Sequence, residues 1–564
     1  MANFVPWNRI KVPHGYSLSD KGLGYETKDK AYRIVAPPLA LIRGNASLET
    51  DNQTYTLQYL SPGNIVKTRE VEAASLTSRD IEGWVSFGIG ITPANKPILL
   101  QYLVEQRMLI PIETVYEGVG WIDSDSFGAD RLISLDTQKS GYLNNDNFNL
   151  QPKGSKQAWF DMWSKISDSI PLQLALSIGL TAPLLRPLSE LYPDLETLIF
   201  SIVGNSSTGK SSMLSLLLST SGAVQPMQQG SLFQSWSSTA NALSLRLNGN
   251  RGVVQGLDEL SRFRGRDITD VLYNLASGTE KARATKSVTL RKLASWQTTI
   301  VSTGEHGFLD GFAAGNQGLR MRIVEYTGAQ PWTRSSTEAE LIKKVCANNY
   351  GWLLPDFVRN MLLQLKQVKA VFPGIVETTK KMIPESPYRD RIAVKLAVVE
   401  VAAELANATW QAMNIDCRAI MQLLISNTTS TWQTGLGERM YENLIDYLKV
   451  HQAALMLEDS PGYLQSKMIG TVTMESNPAK MYVNLYPSEY KRIVTEELGA
   501  QSDRVVSSEL KAKHYLVAER GRNTARIVRN GKRVTVVSLI IPKEEERYFV
   551  LRKSWDANGV RNQH

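Results

Sequence analysis

A short run of glycine, serine and lysine residues has the spacing of a loop that binds phosphate groups. Residues 204–211 read Gly-Asn-Ser-Ser-Thr-Gly-Lys-Ser, which matches the pattern G-x-x-x-x-G-K-[ST]. The apolar run Leu198–Val203 predicts a strand before the loop, and residues 212–219 predict a helix after it. Glycines permit the tight turn, and the start of the helix adds partial positive charge. The residues predicted to bind a nucleotide are Gly204, Asn205, Ser206, Ser207, Thr208, Gly209, Lys210, Ser211 and Ser212.

An acidic pair further along the chain has the residue types that hold magnesium and activate water. Asp258 and Glu259 follow the apolar run 252–257, which predicts a second strand of the same parallel sheet. We expect Lys210 to reach the β- and γ-phosphates of ATP and the Ser211 hydroxyl to ligate Mg²⁺. In P-loop NTPases the first acid holds Mg²⁺ and the second polarises the attacking water. The pair therefore predicts ATP hydrolysis, with Asp258 as metal ligand and Glu259 as base, and a surface acidic pair is the alternative.

Polar residues at two further predicted strands could complete a catalytic site. Residues 297–302 predict a strand that ends at Thr303, whose hydroxyl could orient the attacking water. Ser302 is the second choice for this role, and a threonine that only caps a helix is the alternative. Arg320 and Arg322 stand at the start of a fourth apolar strand. In ring ATPases such an arginine reaches the γ-phosphate of the neighbouring subunit, so this pair predicts hydrolysis that depends on oligomerisation.

A basic segment lies between the acidic pair and the strand that ends at Thr303. Residues 278–292 contain five basic side chains and one acidic one, with β-branched residues in the middle. This pattern predicts a hairpin whose cations grip a phosphate backbone without reading its sequence, and a solvated charged loop is the alternative. Trp296, which follows, is expected in the core. The predicted DNA contacts are Lys281, Arg283, Lys286, Arg291 and Lys292, with Lys286 and Arg291 nearest the tip.

The last hundred residues predict two short helices followed by a hairpin. The helices are predicted at Ser488–Leu498 and Val505–Leu516, and Asn530-Gly531 lies between two alternating segments, which is a strong hairpin signal. This order is typical of a winged helix. A winged helix can bind DNA or a protein, and DNA is the preferred reading. Its predicted DNA-binding face consists of Lys511, Lys513, Arg522, Arg526, Arg529, Lys532 and Arg533.

The composition is that of a globular chain with a basic C-terminal end. Hydrophobic residues make up 43% and charged residues 21%, which argues against a disordered or collagen-like chain. The formal net charge is +8, and residues 501–564 carry 14 Lys and Arg against 7 Asp and Glu. A local basic surface of this kind favours a polyanionic partner, nucleic acid first, although an ordinary lysine-rich tail is an equal alternative.

Other compositional signals are negative. The chain has 2 cysteines and 5 scattered histidines, which excludes a disulfide framework and leaves no metal-ligand spacing. The first residues contain no apolar run typical of a signal peptide. The longest apolar stretch, Pro171–Leu185, is too short to span a bilayer. We therefore expect a cytoplasmic protein without a membrane partner.

The 564 residues suggest about three domains or more. Residues 1–150 predict a β-rich domain, with strands such as Tyr32–Val35, Thr54–Leu60 and Trp84–Ile91, and Thr137–Lys156 predicts a polar linker. An α/β core is expected at 157–335, because apolar strands alternate with helices there. A helical lid or connector at 336–440 and a basic winged-helix domain at 441–564 complete the predicted organisation.

The order of these motifs resembles that of an AAA+ ATPase. More narrowly, residues from about 15 to 405 are similar to a family long described as of unknown function, which includes the MCM-like replication helicases of staphylococcal chromosome cassettes and pathogenicity islands. The resemblance is carried by G-N-S-S-T-G-K-S at 204–211, Q-S-W-S-S-T at 234–239, L-D-E-L at 257–260, the glycine-basic segment 278–283, S-T-G-E at 302–305 and R-I-A-V-K-L-A-V-V-E-V-A-A-E-L-A at 391–406.

This resemblance implies an AAA+ P-loop core with the basic segment as a pore hairpin, six copies of which would meet in a central channel. It implies Arg322 as the arginine that acts on the neighbouring subunit. It also implies a nucleotide-sensing arginine at Arg391, or Lys395 in its place. The segment before Arg322 departs from the family pattern A-G-Q-x-V-R and reads Gly318-Leu-Arg320-Met-Arg322, so Arg320 could share or take the role.

Three functions remain in competition at this point. The leading one is an ATP- and Mg²⁺-dependent DNA helicase that initiates or supports replication of a mobile element as a homohexamer, with single-stranded DNA in its channel. The second is a switch that uses ATP to assemble on origin duplex through the C-terminal domain and melts or marks the DNA without translocating. The third is an ATPase that remodels a protein partner, for which the basic segments would be incidental.

Overall fold

The computed structural model describes residues 4–549 except 51, 264–267, 281–292, 306, 309–316, 329, 434–435, 458–467, 477–478, 499–501 and 530. The first part of the chain is dominated by strands. Its elements are β1 (Tyr16–Ser19), β2 (Gly22–Glu26), β3 (Tyr32–Ala36), β4 (Leu39–Ser47), β5 (Gln53–Ser61), β6 (Ile65–Glu72), α1 (Ser78–Glu82), α2 (Lys96–Gln106) and β7 (Ile112–Tyr116).

The middle of the chain alternates strands and helices. Its elements are β8 (Val119–Trp121), β9 (Ser126–Gly128), β10 (Leu132–Ser134), β11 (Tyr142–Leu143), α3 (Lys156–Ile166), α4 (Ile170–Gly179), α5 (Leu185–Ser189), β12 (Leu198–Val203), α6 (Lys210–Ser219), β13 (Phe233–Ser235), α7 (Ala240–Leu247), β14 (Asn250–Arg251), β15 (Gln255–Asp258), α8 (Ile268–Ser277), β16 (Thr299–Gly304), α9 (Gln317–Arg320) and β17 (Ile323–Tyr326).

Four helices follow, and then a mixed C-terminal unit. The helices are α10 (Ser336–Asn348), α11 (Leu353–Met382), α12 (Arg389–Thr409) and α13 (Cys417–Gln433). The C-terminal elements are α14 (Leu436–Val450), β18 (Leu455–Leu457), β19 (Gly470–Ser476), β20 (Ala479–Leu485), α15 (Pro487–Arg492), α16 (Asp503–Ala512), β21 (Leu516–Val517), β22 (Ala525–Arg529), β23 (Lys532–Ile541) and α17 (Lys543–Glu546). No helix in the described ranges is both long enough and apolar enough to cross a membrane.

A five-stranded parallel sheet in the order β13-β15-β16-β12-β17 forms the centre of the fold. Because its strands are parallel, their carboxyl ends meet at one edge, where ligands bind in sheets of this kind. Helices cover the sheet through apolar stripes. In α8, for example, Ile268, Val271, Leu272 and Leu275 recur at helical spacing and are buried in the core that lies on the sheet.

The N-terminal unit contains a three-stranded sheet, β1-β2-β3, and a five-stranded sheet, β11-β7-β4-β5-β6. Its own core runs from Tyr16 to Ile110. Residues from Val119 onward contribute to the central core and β14 pairs with β8, whereas β11 still pairs with β7 of the N-terminal sheet. The domain boundary at residue 150 stays a prediction. Phe148 and Leu150, within the predicted linker, are buried in that core, which is why this polar segment is fixed in place.

Two predictions differ from the structure. The strand predicted at Trp84–Ile91 is wrong, since Gly83–Phe87 forms a 3₁₀ helix that ends at Gly88, whose φ is +85°. The C-terminal unit was predicted to begin at residue 441, which falls inside α14. Met440 and Leu444 of this helix are buried in the C-terminal core, so the unit includes the whole of α14.

Candidate functional site

The loop between β12 and α6 has the backbone geometry that phosphate binding requires. Ser207 and Gly209 adopt positive φ angles of +65° and +85°, which turn the chain tightly before the helix begins at Lys210. A Cβ on Gly209 would lie 2.4 Å from Thr333 Oγ1, so only glycine fits there. Lys210 Nζ donates hydrogen bonds of 2.6 Å to the carbonyl oxygens of Gly204 and Asn205, which folds its side chain across the loop. Burial lowers the pKa of Lys210.

Asp258 lies at the end of β15 and connects the loop to the neighbouring strand. Ser211 Oγ donates to Asp258 Oδ2 at 3.1 Å, and Thr303 Oγ1 donates to Asp258 Oδ1 in a short contact. A hydroxyl and a carboxylate side by side are oxygen ligands of the kind that Mg²⁺ prefers, and this ion usually completes its shell with substrate phosphates and water. Within the described part of the chain no three His, Cys, Asp or Glu side chains form a metal cluster. The residues present therefore fit Mg²⁺ held jointly with a nucleotide.

Glu259 follows Asp258 in a conformation that is uncommon for a residue with a side chain. Its φ is +64°, in the left-handed region, and its backbone N–H donates to Thr303 Oγ1 at 3.3 Å. Its carboxylate forms an ion pair of 2.5 Å with Arg262 Nε. Such backbone strain is concentrated at functional sites. Glu259 is thus fixed beside Asp258 and lines the same cavity.

The alternation of side chains along β16 separates the two residues that competed for the water-orienting role. Thr303 contacts both Asp258 and the backbone of Glu259, and it lines the cavity. Ser302 accepts a hydrogen bond of 2.9 Å from the buried Trp236 Nε1 and does not line the cavity. The structure therefore brings Thr303, and not Ser302, to the acidic pair.

These residues surround a cavity of about 800 Å³ that contains several side chains missed by the sequence analysis. Glu305, at the end of β16, accepts a short hydrogen bond from Ser206 Oγ of the loop. A second group comes from the segment after β17 and from the start of α10. The only sequence signal for this group is the polar run before a predicted helix, with Ser335 as its N-cap. Its members that line the cavity are Pro331, Thr333, Arg334, Ser335, Ser336, Ala339, Glu340 and Lys343.

Arg320 and Arg322 lie at the edge formed by the amino ends of the parallel strands, opposite the carboxyl edge that carries the cavity. β17 begins with Ile323 beside Ile199, near the start of β12, whereas the phosphate loop follows the end of β12. At about 3.3 Å per residue, Arg322 is roughly 15–20 Å from the loop along the strand. Its guanidinium donates to Gly318 O at 3.1 Å and lies 5.4 Å from the ring centre of Tyr273.

Arg391 and Lys395 accompany these arginines and are not at the cavity. Lys395 Nζ donates to Met321 O at 2.6 Å, and burial, together with the nearby Arg322, lowers the pKa of Lys395 to about 7. Arg391 is 3.4 Å from Asp194 Oδ2 and contacts the sulfur of Met321. The structure thus does not bring Arg391 to the phosphate loop of its own chain, because the start of α12 packs beside the other edge of the sheet.

The predicted hairpin residues Lys281, Arg283, Lys286, Arg291 and Lys292 lie outside the described residues. The residues on either side of them pair in antiparallel fashion. Thr279 forms a bridge with Ser295, and Glu280 N donates to Ala294 O at 2.9 Å. This is the pairing that the base of a hairpin needs. Trp296 is buried and donates to Leu275 O, so it is a core residue, as expected.

The C-terminal unit contains the predicted helices and hairpin, but several of its cations already have partners. β22 pairs with β23 in antiparallel fashion, with Arg529 in register with Lys532. Lys511 donates to the carbonyl oxygen of Arg522, and Lys513 forms an ion pair of 3.0 Å with Glu438. Arg522 and Arg526 lie 3.7 and 4.0 Å from the carboxylate of Glu519. Lys532 and Arg533 are exposed at the start of β23.

Taken together, these features define a mixed α/β protein with a parallel sheet, a cavity built on a phosphate-type loop, and a C-terminal helix-turn-helix unit. Residues 16–295 match the family model "Domain of unknown function (DUF927)", and residues 435–544 match "Cch helix turn helix domain". These two matches confirm the resemblance, drawn from the motifs, to a family long described as of unknown function. No curated protein matches the chain.

One similar solved structure is described as "SCCmec type IV Cch - active helicase". It is 22% identical, with a TM-score of 0.63, and the match covers 96% of this chain and 99% of that one. At this identity the match establishes that the two chains share a fold over nearly their full lengths. The family match at residues 435–544 supports the C-terminal winged-helix prediction at the level of a helix-turn-helix domain.

Proposed function

We propose that this protein is an ATP-driven DNA helicase of a mobile genetic element, built on an AAA+ core. One observation carries the proposal: the hydrogen-bonded chain Ser211–Asp258–Thr303–Glu259 at the carboxyl edge of the sheet, beside the phosphate loop. This arrangement supports the assignment of Ser211 and Asp258 as a metal-binding pair, of Thr303 as the water-orienting hydroxyl and of Glu259 as the base. The fold shared with a helicase supports the same reading.

In the proposed mechanism each residue of the cavity has one task. Mg²⁺, when bound, would neutralise charge on the β- and γ-phosphates. Lys210 leaves the carbonyl groups of Gly204 and Asn205 to bind the phosphates. Ser211 and Asp258 hold the ion, and Thr303 orients the water from which Glu259 takes a proton. This division of labour follows from the contacts that each side chain makes.

Assembly into a ring, with a hexamer as the leading expectation, is proposed from the position of the arginines. Arg322 cannot reach the cavity of its own chain, because the two lie at opposite edges of the sheet. A neighbouring copy in a head-to-tail arrangement would bring the arginine edge of one chain to the cavity of the next. Hydrolysis of ATP at this interface between subunits, the seam of the ring, would then move the basic segment 281–292 along single-stranded DNA.

The hairpin is tested by strand displacement with full-length wild type and Lys286→Ala. We expect the variant to keep its ATPase rate without DNA and to lose unwinding about tenfold, because one phosphate-gripping cation per subunit is removed. Stimulation of the ATPase by single-stranded DNA should fall in parallel. The matched control is Lys369→Ala, which removes a partly buried cation paired with the exposed Glu190. Wild-type unwinding by Lys286→Ala would favour the origin-binding switch, and absence of any salt-sensitive DNA binding by wild type would favour protein remodelling.

The C-terminal unit is tested by the double variant Lys532→Ala, Arg533→Ala. We expect duplex DNA affinity to fall about tenfold at low salt, and the salt slope to decrease by about 2, because two phosphate contacts are lost. Fluorescence anisotropy over a salt series measures both quantities. Lys513→Ala is the matched control, since this lysine is already paired with Glu438 and should contribute little. An unchanged slope in the double variant would remove the wing from the DNA interface.

A further inference from the structure

The phosphate loop contacts two different walls of the cavity, and the proposed hydrolysis uses only one of them. Ser206 and Ser211 contact Glu305 and Asp258, on the side of the proposed hydrolysis. Thr208 and Gly209 instead contact the segment that follows β17. Trp332 N donates to Thr208 O at 2.8 Å, and Thr333 packs against Gly209. This second wall is therefore held against the part of the loop that directly precedes Lys210.

Arg334, the next residue of that segment, is held with its guanidinium on the cavity. Glu338, a mostly buried carboxylate in the first turn of α10, accepts bonds from Arg334 N at 2.6 Å and from Nε at 2.8 Å. Arg334 Nη1 donates to Asp168 Oδ2 at 2.6 Å, and the Asp168 side chain is 70% exposed. Nη2 donates to Glu338 Oε1 at 2.5 Å and to Lys165 O at 3.2 Å. Glu338 and this carbonyl thus fix the position of Arg334, whereas Asp168 is a solvent-facing carboxylate that an anion can replace.

The described lining of the cavity carries fewer basic than acidic side chains, so a bound triphosphate depends on each cation within its reach. Among the described lining residues, three are basic, Lys210, Arg334 and Lys343, and four are acidic, Asp258, Glu259, Glu305 and Glu340. A nucleoside triphosphate with Mg²⁺ adds about two further negative charges. Because Arg391 lies at the other edge of the sheet, the cations that can offset this charge in the same chain are few. Because Nε and Nη2 of Arg334 are bound by Glu338, Nη1 is the donor that can pass from Asp168 to a phosphate oxygen, as a charge-assisted hydrogen bond.

We propose that Arg334 binds the nucleotide of its own chain at the α- and β-phosphates, and that it exchanges Asp168 for them when the nucleotide enters. The inference rests on the proposed nucleotide site. The position follows from the loop, because the 332–334 segment contacts Thr208 and Gly209, whereas the end that receives the γ-phosphate is next to Asp258 and Glu259. Arg334 would therefore sense the nucleotide in its own chain, a task that the family resemblance implies for Arg391 or Lys395.

The test is calorimetric titration of full-length variants with ADP and with the slowly hydrolysed analogue ATPγS, both with Mg²⁺. Arg334→Ala should lower the affinity for both nucleotides by about tenfold, since both carry the α- and β-phosphates. Asp168→Asn removes the competing carboxylate without touching α10, and it should strengthen both by about threefold. Arg389→Ala, which removes an exposed ion pair with Glu385, is the matched control and should bind as wild type does. Thermal melts report whether each variant is folded.

The outcomes separate this inference from the proposed function. Wild-type affinity in Arg334→Ala, a loss confined to ATPγS, or equal weakening by Arg334→Ala and Asp168→Asn would overturn it, because the ion pair would then be only a structural brace or would act elsewhere. If Arg334→Ala does not fold, the direction of the Asp168→Asn effect decides, and any result other than stronger binding overturns the inference. Lys210→Ala tests the site itself. Tight binding by that variant would contradict the proposed function, whereas weak binding by it leaves the result for Arg334 to stand by itself.

Discussion

The Glu259→Gln variant is expected to bind ATP as tightly as wild type and to hydrolyse it at least about 100-fold more slowly. Glutamine keeps the size and the backbone of the residue but cannot accept the proton of the attacking water. The strained φ of +64° and the bond from Glu259 N to Thr303 hold this residue at the cavity whichever side chain it carries. Steady-state phosphate release and nucleotide titration measure the two quantities separately.

The ion pair between Glu259 and Arg262 offers a second comparison. Their 2.5 Å contact must open before Glu259 can act as a base, so Arg262→Ala should change the hydrolysis rate far less than Glu259→Gln does. Glu385→Gln is the matched control, since it also removes one exposed carboxylate of an ion pair. Full turnover in Glu259→Gln would show that another carboxylate takes the proton, with Glu305 as the nearest one connected to the loop.

Much of the candidate site could be predicted because it depends on local patterns. A strand, a glycine loop and a helix in immediate succession determine where Lys210 and Ser211 lie. The carboxyl ends of parallel strands meet at one edge, which brings Asp258 and Thr303 together. The choice between Ser302 and Thr303 needed the pleat of β16, since neighbouring side chains point to opposite faces and only the structure shows which face has the cavity.

The residues that the sequence misplaced depend on contacts between distant parts of the chain. Arg391 lies in the first turn of α12, a helix that the sequence predicts, but its contact with Met321, 70 residues earlier, carries no signal in the sequence. Lys513 reads as a free cation until α14 brings Glu438 to it from 75 residues away. Arg334 lies in the segment after β17, and this segment has no recognisable sequence pattern. Its place beside the cavity depends on the packing of Thr333 against Gly209.

The Arg322→Ala variant is expected to lose ATP hydrolysis by about 1000-fold, because an arginine supplied to a γ-phosphate from outside contributes at least this much to turnover. Its affinity for ATP should change little, since the arginine lies at the far edge of the sheet from its own cavity. Arg320→Ala, two residues earlier, should have the smaller effect if Arg322 is the acting residue. Arg43→Ala, which removes an exposed arginine paired with Glu113 in the N-terminal unit, serves as the control away from the arginine edge of the sheet. The measurement is steady-state hydrolysis at concentrations where the wild type is assembled.

Mixing two inactive variants tests whether the arginine acts between chains. Lys210→Ala lacks a working phosphate loop but keeps Arg322, whereas Arg322→Ala has the reverse defect. In an equal mixture of head-to-tail assemblies, about one quarter of the interfaces would combine an intact loop with an intact arginine, so hydrolysis should reappear. If the arginine acted within its own chain, no combination of subunits could restore the missing group. A mixture as inactive as its components, with mixed assemblies demonstrated by mass, would therefore exclude catalysis at the seam.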